Sequence, residues 1–128
     1  METSKRLKTV KTYLFYGWLG IVFLLSICCL NLPALLKISD KVFHFILFFI
    51  VAFVSYLYFY DFMKSKKLVS IAAVLFSCAY GALLEFMQYF TASGNFSKDD
   101  MIFNCVGALV LGIIVIPKRS ITIYGRKV

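Results

Sequence analysis

Four long apolar runs make up most of this 128-residue chain, at residues 13–30, 42–60, 68–90 and 101–116. A helix needs about 20 apolar residues to cross the ~30 Å hydrocarbon layer of a bilayer, so the fourth run is slightly short. Because 62% of all residues are hydrophobic, the chain lacks the polar surface that a water-soluble domain requires. The sequence predicts one all-α domain over residues 1–128, a four-helix transmembrane bundle.

Positive charge marks one side of this predicted bundle. Of the 14 lysines and arginines, all but Lys37, Lys41 and Lys98 lie in the terminal tails or in the loop between the second and third runs. By the positive-inside rule, both termini and that middle loop are cytoplasmic. We therefore expect a multi-pass protein of a bacterial cytoplasmic membrane, in contact with membrane lipid. The net charge of +8 follows from this topology, and no basic patch interleaved with exposed aromatics indicates a nucleic-acid partner.

Polar pairs at helical spacing interrupt the last three apolar runs near their predicted outward ends. Residues three or four apart share one face of a helix, so each pair can point in one direction. At 1.5 Å rise per residue, the inner members lie roughly 5 to 9 Å below the boundary of the hydrocarbon layer. The sequence therefore predicts one shared site at the outer membrane face. The pairs are Asp40 with His44, Glu85 with Gln88, and Asp100 with Asn104.

Glu85 has the highest cost of membrane insertion among these residues, because placing a carboxylate in a membrane helix costs on the order of 2.5 to 3.5 kcal/mol on insertion scales. We expect it to face the bundle, with His44 or Lys41 as its partner. The plainer alternative is that these polar groups only join one helix to another. For Asp99 and Asp100, the corresponding alternative is a solvated helix entrance that is favourable to the helix dipole.

Small residues on the third and fourth runs predict a close contact between those helices. Ser77 and Gly81 precede Glu85 at spacings of four, and Ala108 and Gly112 follow Asn104 at the same spacing. Such series let helix backbones approach closely in membranes. The connecting loop contains a predicted turn that would cover the site from outside, formed by Ser93, Gly94 and Asn95.

Three motifs together resemble the VanZ-like family of small bacterial membrane proteins, over essentially the whole chain. The motifs are Asp40-Lys41-x-x-His44-Phe45, Glu85-x-x-Gln88-x-Phe90 and Asp100-x-x-x-Asn104-x-x-Gly107. The family takes its name from a member associated with resistance to the glycopeptide antibiotic teicoplanin. The resemblance implies which residues of this chain carry the family's polar signature. They are Asp40, Lys41, His44, Glu85, Gln88, Asp100, Asn104 and Gly107. Members usually carry an arginine in the loop after the second motif, where this chain has Ser93, Gly94 and Asn95. If that arginine binds an anionic group, this chain must use Lys41 or Lys98 instead, or has lost the contact.

Two function classes remain open beside a purely structural cluster. In the first, an outer-leaflet pocket binds a lipid-linked envelope precursor or a glycopeptide. In the second, His44 or Glu85 acts as a general acid or base, oriented by Asp100, on a lipid headgroup or its phosphate bond. The sequence leaves open which class applies and whether the protein forms oligomers. The predicted ligand-binding residues are Asp40, Lys41, His44, Glu85, Gln88, Asp100 and Asn104.

Nothing in the sequence requires a metal or a cofactor, and we assign neither. A metal variant of the catalytic hypothesis would use His44, Glu85 and Asp100, a donor set that suits Mg²⁺ or Mn²⁺ better than zinc. The cysteines lack metal-binding or disulfide spacing. They are Cys28, Cys29, Cys78 and Cys105.

Overall fold

Four α-helices form the part of the protein that the computed structural model describes, residues 2–27, 36–91 and 97–116. They are α1 (Glu2–Ile27), α2 (Asp40–Phe59), α3 (Lys66–Phe90) and α4 (Lys98–Val115). The predicted all-α, four-helix architecture is confirmed.

The first helix begins at Glu2 rather than near residue 13, so its predicted start was wrong. Its basic N-terminal turns are polar but contain good helix formers, and a 2.7 Å ion pair joins Glu2 to Arg6 one turn later. Hydropathy marks only the apolar part of a helix. A helix that extends from the membrane into water therefore starts earlier than its apolar run.

Serine residues precede the other three helices, and two of them cap the helix with their side chains. Ser65 Oγ accepts a hydrogen bond from the Leu68 backbone N–H at 3.5 Å, and Ser97 Oγ accepts one from the Asp100 N–H at 3.2 Å. Ser39 is the N-cap of α2 without such a side-chain bond. Asp40 and Asp100 consequently lie in the first turns of α2 and α4, where a negative charge is favourable to the helix dipole.

Three of the described helices, α1, α2 and α3, are long and apolar enough to cross a membrane. In α4, the first turn carries Lys98, Asp99 and Asp100. The remaining ~15 residues extend roughly 22 Å, less than the hydrocarbon layer. This agrees with the expectation of a slightly short fourth run.

Helices α2, α3 and α4 pack against one another, and α1 lies across α2 and α3. One apolar cluster joins α1, α2 and α3 through Val22, Phe48 and Leu84, and a second joins α2 and α4 through Ala52 and Leu111. Most large apolar side chains outside these clusters are exposed, as expected for a surface that contacts lipid.

The two ends of the bundle differ in charge. At one end, Lys11 of α1 lies 2.9 Å from Asp61, which follows α2. This contact brings the basic N-terminal turns beside the basic loop that leads to α3. Asp40 begins α2 at the opposite end, about 30 Å away for a helix of 20 residues. The charge asymmetry still predicts that the basic end is cytoplasmic.

Candidate functional site

Helices α2 and α4 bring two carboxylates and an imidazole together at the end opposite the basic loop. One oxygen each from Asp40 and Asp100 and one ring nitrogen of His44 all lie within 4.8 Å of one another. His44 Nε2 is 3.9 Å from Asp100 Oδ2. Asp40 is exposed, whereas His44 and Asp100 are half-buried, so this group leads from the surface into the bundle.

Asn104 sets the orientation of the imidazole. His44 Nδ1 lies 3.0 Å from Asn104 Oδ1, and Asn104 is only 1% exposed. An amide oxygen can only accept a hydrogen bond, so Nδ1 must carry the donated proton. The other ring nitrogen, Nε2, then faces the carboxylate of Asp100.

Glu85 of α3 lies behind this group, inside the bundle as expected. The residue is 1% exposed, and its Oε2 atom has no hydrogen-bond partner among the described residues. Its carboxylate interacts electrostatically with His44, Asp100 and Asp40, and it accepts a hydrogen bond from the Ser97 backbone N–H. We use the name polar cluster for Asp40, His44, Glu85, Asp100 and Asn104.

Lys41 does not serve as the partner of Glu85, so this alternative was wrong. Its Nζ atom lies 2.8 Å from Asp99 Oδ2, and both side chains are exposed. It also lies 5.8 Å from the ring centre of Phe103. Near the charged Lys41, the pKa of the Asp99 carboxyl falls below its usual range. Asp99 lies exposed in the first turn of α4, as the plainer alternative predicted. It also pairs with Lys41 of α2, which the sequence did not indicate.

Gln88 has a contact that the sequence did not indicate. Its Nε2 atom donates a hydrogen bond of 2.9 Å to the Ser26 carbonyl oxygen on α1. Spacing along α3 placed Gln88 on the same face as Glu85, but it cannot show how α1 crosses α3. In the structure, this amide connects α3 with α1.

Two glycines permit the close approach of helices around the cluster. A Cβ atom added at Gly81 of α3 would lie 3.2 Å from the Cβ and Nδ2 atoms of Asn104, so α3 and α4 touch where the small-residue spacing predicted. A Cβ atom at Gly107 would overlap the Phe45 carbonyl oxygen and lie 3.1 Å from the Phe49 backbone nitrogen. The Gly107 position of the third motif is therefore where the backbones of α2 and α4 meet.

Some predicted features lie outside the described residues. These are the loop turn at Ser93, Gly94 and Asn95, the cysteines Cys28 and Cys29, and the basic tail after residue 116. The other two cysteines, Cys78 and Cys105, are free thiols.

Comparison with known proteins supports the resemblance of the three motifs. The sequence model of the VanZ/LLP1 family matches residues 3–121, which include all of the four helices except Glu2 and contain the whole polar cluster. No curated protein and no solved structure matches the chain. The chain belongs to the VanZ/LLP1 family.

Proposed function

We propose that the polar cluster binds the headgroup of a lipid-linked cell-envelope ligand from the outer leaflet of a bacterial cytoplasmic membrane. The observation that carries this proposal is Glu85, a buried carboxylate in a membrane helix with an unpartnered oxygen among the described residues. Burying such a group costs several kcal/mol. A polar contact between membrane helices returns only about 0.6 kcal/mol on average. A purely structural role would be served better by an apolar residue at this position.

The accessibility of the cluster also favours a ligand. Exposure decreases from Asp40 through His44 and Asp100 to Glu85. A headgroup at the membrane surface would meet Asp40 first and could then reach the inner carboxylate. Its hydrocarbon tails would lie along the exposed apolar side chains of the bundle, among them Ile102 and Phe86.

The outer-leaflet location rests on the separation of the basic end from the polar cluster. Lys11 and the loop after α2 lie together at one end, and the cluster lies at the other. The positive-inside rule assigns the basic end to the cytoplasm. The cluster then faces the side where envelope precursors are displayed.

One arrangement favours acid/base catalysis as a second candidate function. His44 is held by Asn104 through Nδ1, and its Nε2 faces Asp100 at 3.9 Å. A histidine oriented by one neighbour and facing a carboxylate is typical of a general acid or base. Its substrate would be the same headgroup or the phosphate bond that joins it to the lipid.

Sensitivity to glycopeptides tests the binding proposal, because a drug with an acyl tail concentrates in the membrane where the cluster opens. Expression of the protein in a susceptible host should raise the inhibitory concentration of teicoplanin more than that of a glycopeptide without a tail. Glu85→Gln keeps the shape of the side chain but removes its charge, and this variant should lose the effect. Asp99→Asn changes a nearby exposed carboxylate in the same way and should retain it.

Lipids that copurify with the protein provide a second measurement. Mass spectrometry should find an isoprenoid-linked envelope lipid enriched with the parent and with Asp99→Asn, but not with Glu85→Gln. Equal drug sensitivity with and without the inserted protein would contradict a role in resistance. Identical lipids with parent and Glu85→Gln would favour a structural cluster.

A further inference from the structure

We propose that Asp40, His44 and Asp100 form a binding site for one divalent cation of the Mg²⁺ or Mn²⁺ class, supported from behind by Glu85. The metal alternative considered from the sequence used Glu85 as a direct ligand. In the structure, Asp40 joins His44 and Asp100 instead.

The distances suit a cation with small adjustments of the side chains. Oxygen ligands lie about 2.0 to 2.1 Å from Mg²⁺ in an octahedron, so neighbouring ligands are about 3 Å apart and opposite ligands about 4.2 Å apart. The 3.9 Å between His44 Nε2 and Asp100 Oδ2 falls between these values. The outer limit of 4.8 Å for the whole group exceeds the separation of opposite ligands by about 0.6 Å. Asp40 is exposed and provides an entry path.

The hydrogen bond from His44 to Asn104 prepares the imidazole as a ligand. With the proton on Nδ1, a neutral imidazole presents the lone pair of Nε2 to the carboxylates. Histidines that bind metals usually donate their other N–H to an oxygen in this manner, which fixes the tautomer and the ring orientation. Asn104 would therefore act as a positioning residue.

The negative charges of the polar cluster outnumber its positive charges, which favours a bound cation. Glu85 interacts electrostatically with Asp40 and Asp100, and those two carboxylates lie close together beside a single imidazole. Lys41, the basic residue nearest in sequence, forms its ion pair with Asp99 and has only a weaker electrostatic interaction with Asp100. One divalent ion would balance the carboxylates that the imidazole leaves uncompensated.

The unpartnered oxygen of Glu85 is an independent indication of a missing group. If Glu85 is ionised, Oε2 lacks a donor among the described residues. A metal-bound water on the inner side of the site would donate to this oxygen. Mn²⁺ accepts both imidazole and carboxylate ligands and serves as the probe.

His44 is the single histidine of the chain, which makes a direct test possible. The full chain, without a histidine tag, would be labelled with ¹⁵N-histidine and kept in neutral detergent, where no lipid phosphate binds the metal. Paramagnetic Mn²⁺ should broaden the imidazole signals at less than one equivalent, and excess Mg²⁺ should restore them. Calorimetry should give one site per chain.

Asp100→Asn and Asp99→Asn form a matched pair, because they remove the same charge from adjacent residues of α4. Asp100→Asn should require at least tenfold more Mn²⁺ for the same broadening, whereas Asp99→Asn should behave as the parent. Asp40→Asn changes an exposed residue and replaces Asp100→Asn if the latter fails to fold by circular dichroism.

Two results would overturn the proposal: no saturable Mn²⁺ binding by the parent, or equal loss of affinity in the Asp99 and Asp100 variants. The second would show that Mn²⁺ responds only to surface charge. Because no lipid is present, the cation site can fail while the lipid-binding proposal survives, and the reverse also holds.

Discussion

Replacement of Gly107 by alanine tests whether close contact between α2 and α4 supports the polar cluster. The added Cβ atom would overlap the carbonyl oxygen of Phe45 and lie 3.1 Å from the backbone nitrogen of Phe49. Both are backbone atoms, so no side-chain rotation relieves the contact. The two helices must move apart by about 1 Å to restore ordinary van der Waals distances.

This separation would also act on the site, because Gly107 and Phe45 lie within one turn of Asn104 and His44. An increase of about 1 Å would stretch the 3.0 Å contact between His44 and Asn104 beyond hydrogen-bond length. Overpacking costs about 1 to 3 kcal/mol. The lost hydrogen bond adds about 0.5 to 1.5 kcal/mol. We therefore expect Gly107→Ala to lower the free energy of unfolding by about 1.5 to 4.5 kcal/mol.

Gly17→Ala provides the control, since it makes the same chemical change on α1 where a new Cβ meets nothing within 4 Å. Alanine favours a helix over glycine, so this variant should be at least as stable as the parent. Titration with SDS from mild-detergent micelles, followed by far-UV circular dichroism, measures the difference. ¹⁵N-histidine spectra of the same samples report the environment of His44. Equal stability of the two variants, or an unchanged His44 signal in Gly107→Ala, would refute the reasoning.

Two further predictions concern topology and the attachment of α1. Lys66 and Lys98 are exposed, and each would be replaced by cysteine for labelling with an impermeant maleimide. Lys98→Cys should react in intact cells, whereas Lys66→Cys should react only after the membrane is disrupted. The parent, with its native cysteines, gives the background signal. The opposite pattern would move the polar cluster to the inner leaflet. Tyr80→Phe removes the 2.7 Å hydrogen bond to the Leu19 carbonyl oxygen and should lower the free energy of unfolding by about 1 kcal/mol. Relative to the parent, hydrogen exchange should become faster in α1 but not in α4. Unchanged exchange in α1 would show that this bond does not hold the helix.

The sequence predicted the helices well because a membrane helix is a long, continuous apolar run that hydropathy alone can locate. Apolar runs located α2, α3 and α4 to within a few residues, and helical spacing correctly grouped His44, Asp100 and Asn104 on facing surfaces. The helix positions depend on local sequence alone, and the grouping of the polar residues requires only that they lie at the same end of the bundle.

Contacts between distant helices could not be obtained in this way. The sequence placed Lys41 near Glu85, but which of several nearby carboxylates it reaches depends on the relative rotation of α2 and α4, and the structure pairs it with Asp99. The bond from Gln88 to Ser26 depends on where α1 crosses α3. The role of Gly107 is visible only once the α2 backbone lies beside it.

The short apolar stretch of α4 has a consequence for the surrounding bilayer. Its ~15 residues after the charged first turn fall about 8 Å short of an average hydrocarbon layer. If α4 spans the bilayer, local thinning is one way to relieve this hydrophobic mismatch. Since the charged turn of α4 belongs to the same end as Asp40, lipid headgroups and water would descend on that side toward Asn104. With such thinning, the depth of the polar cluster would depend on the membrane as well as on the protein, and host lipids with thinner or thicker bilayers should alter access to it.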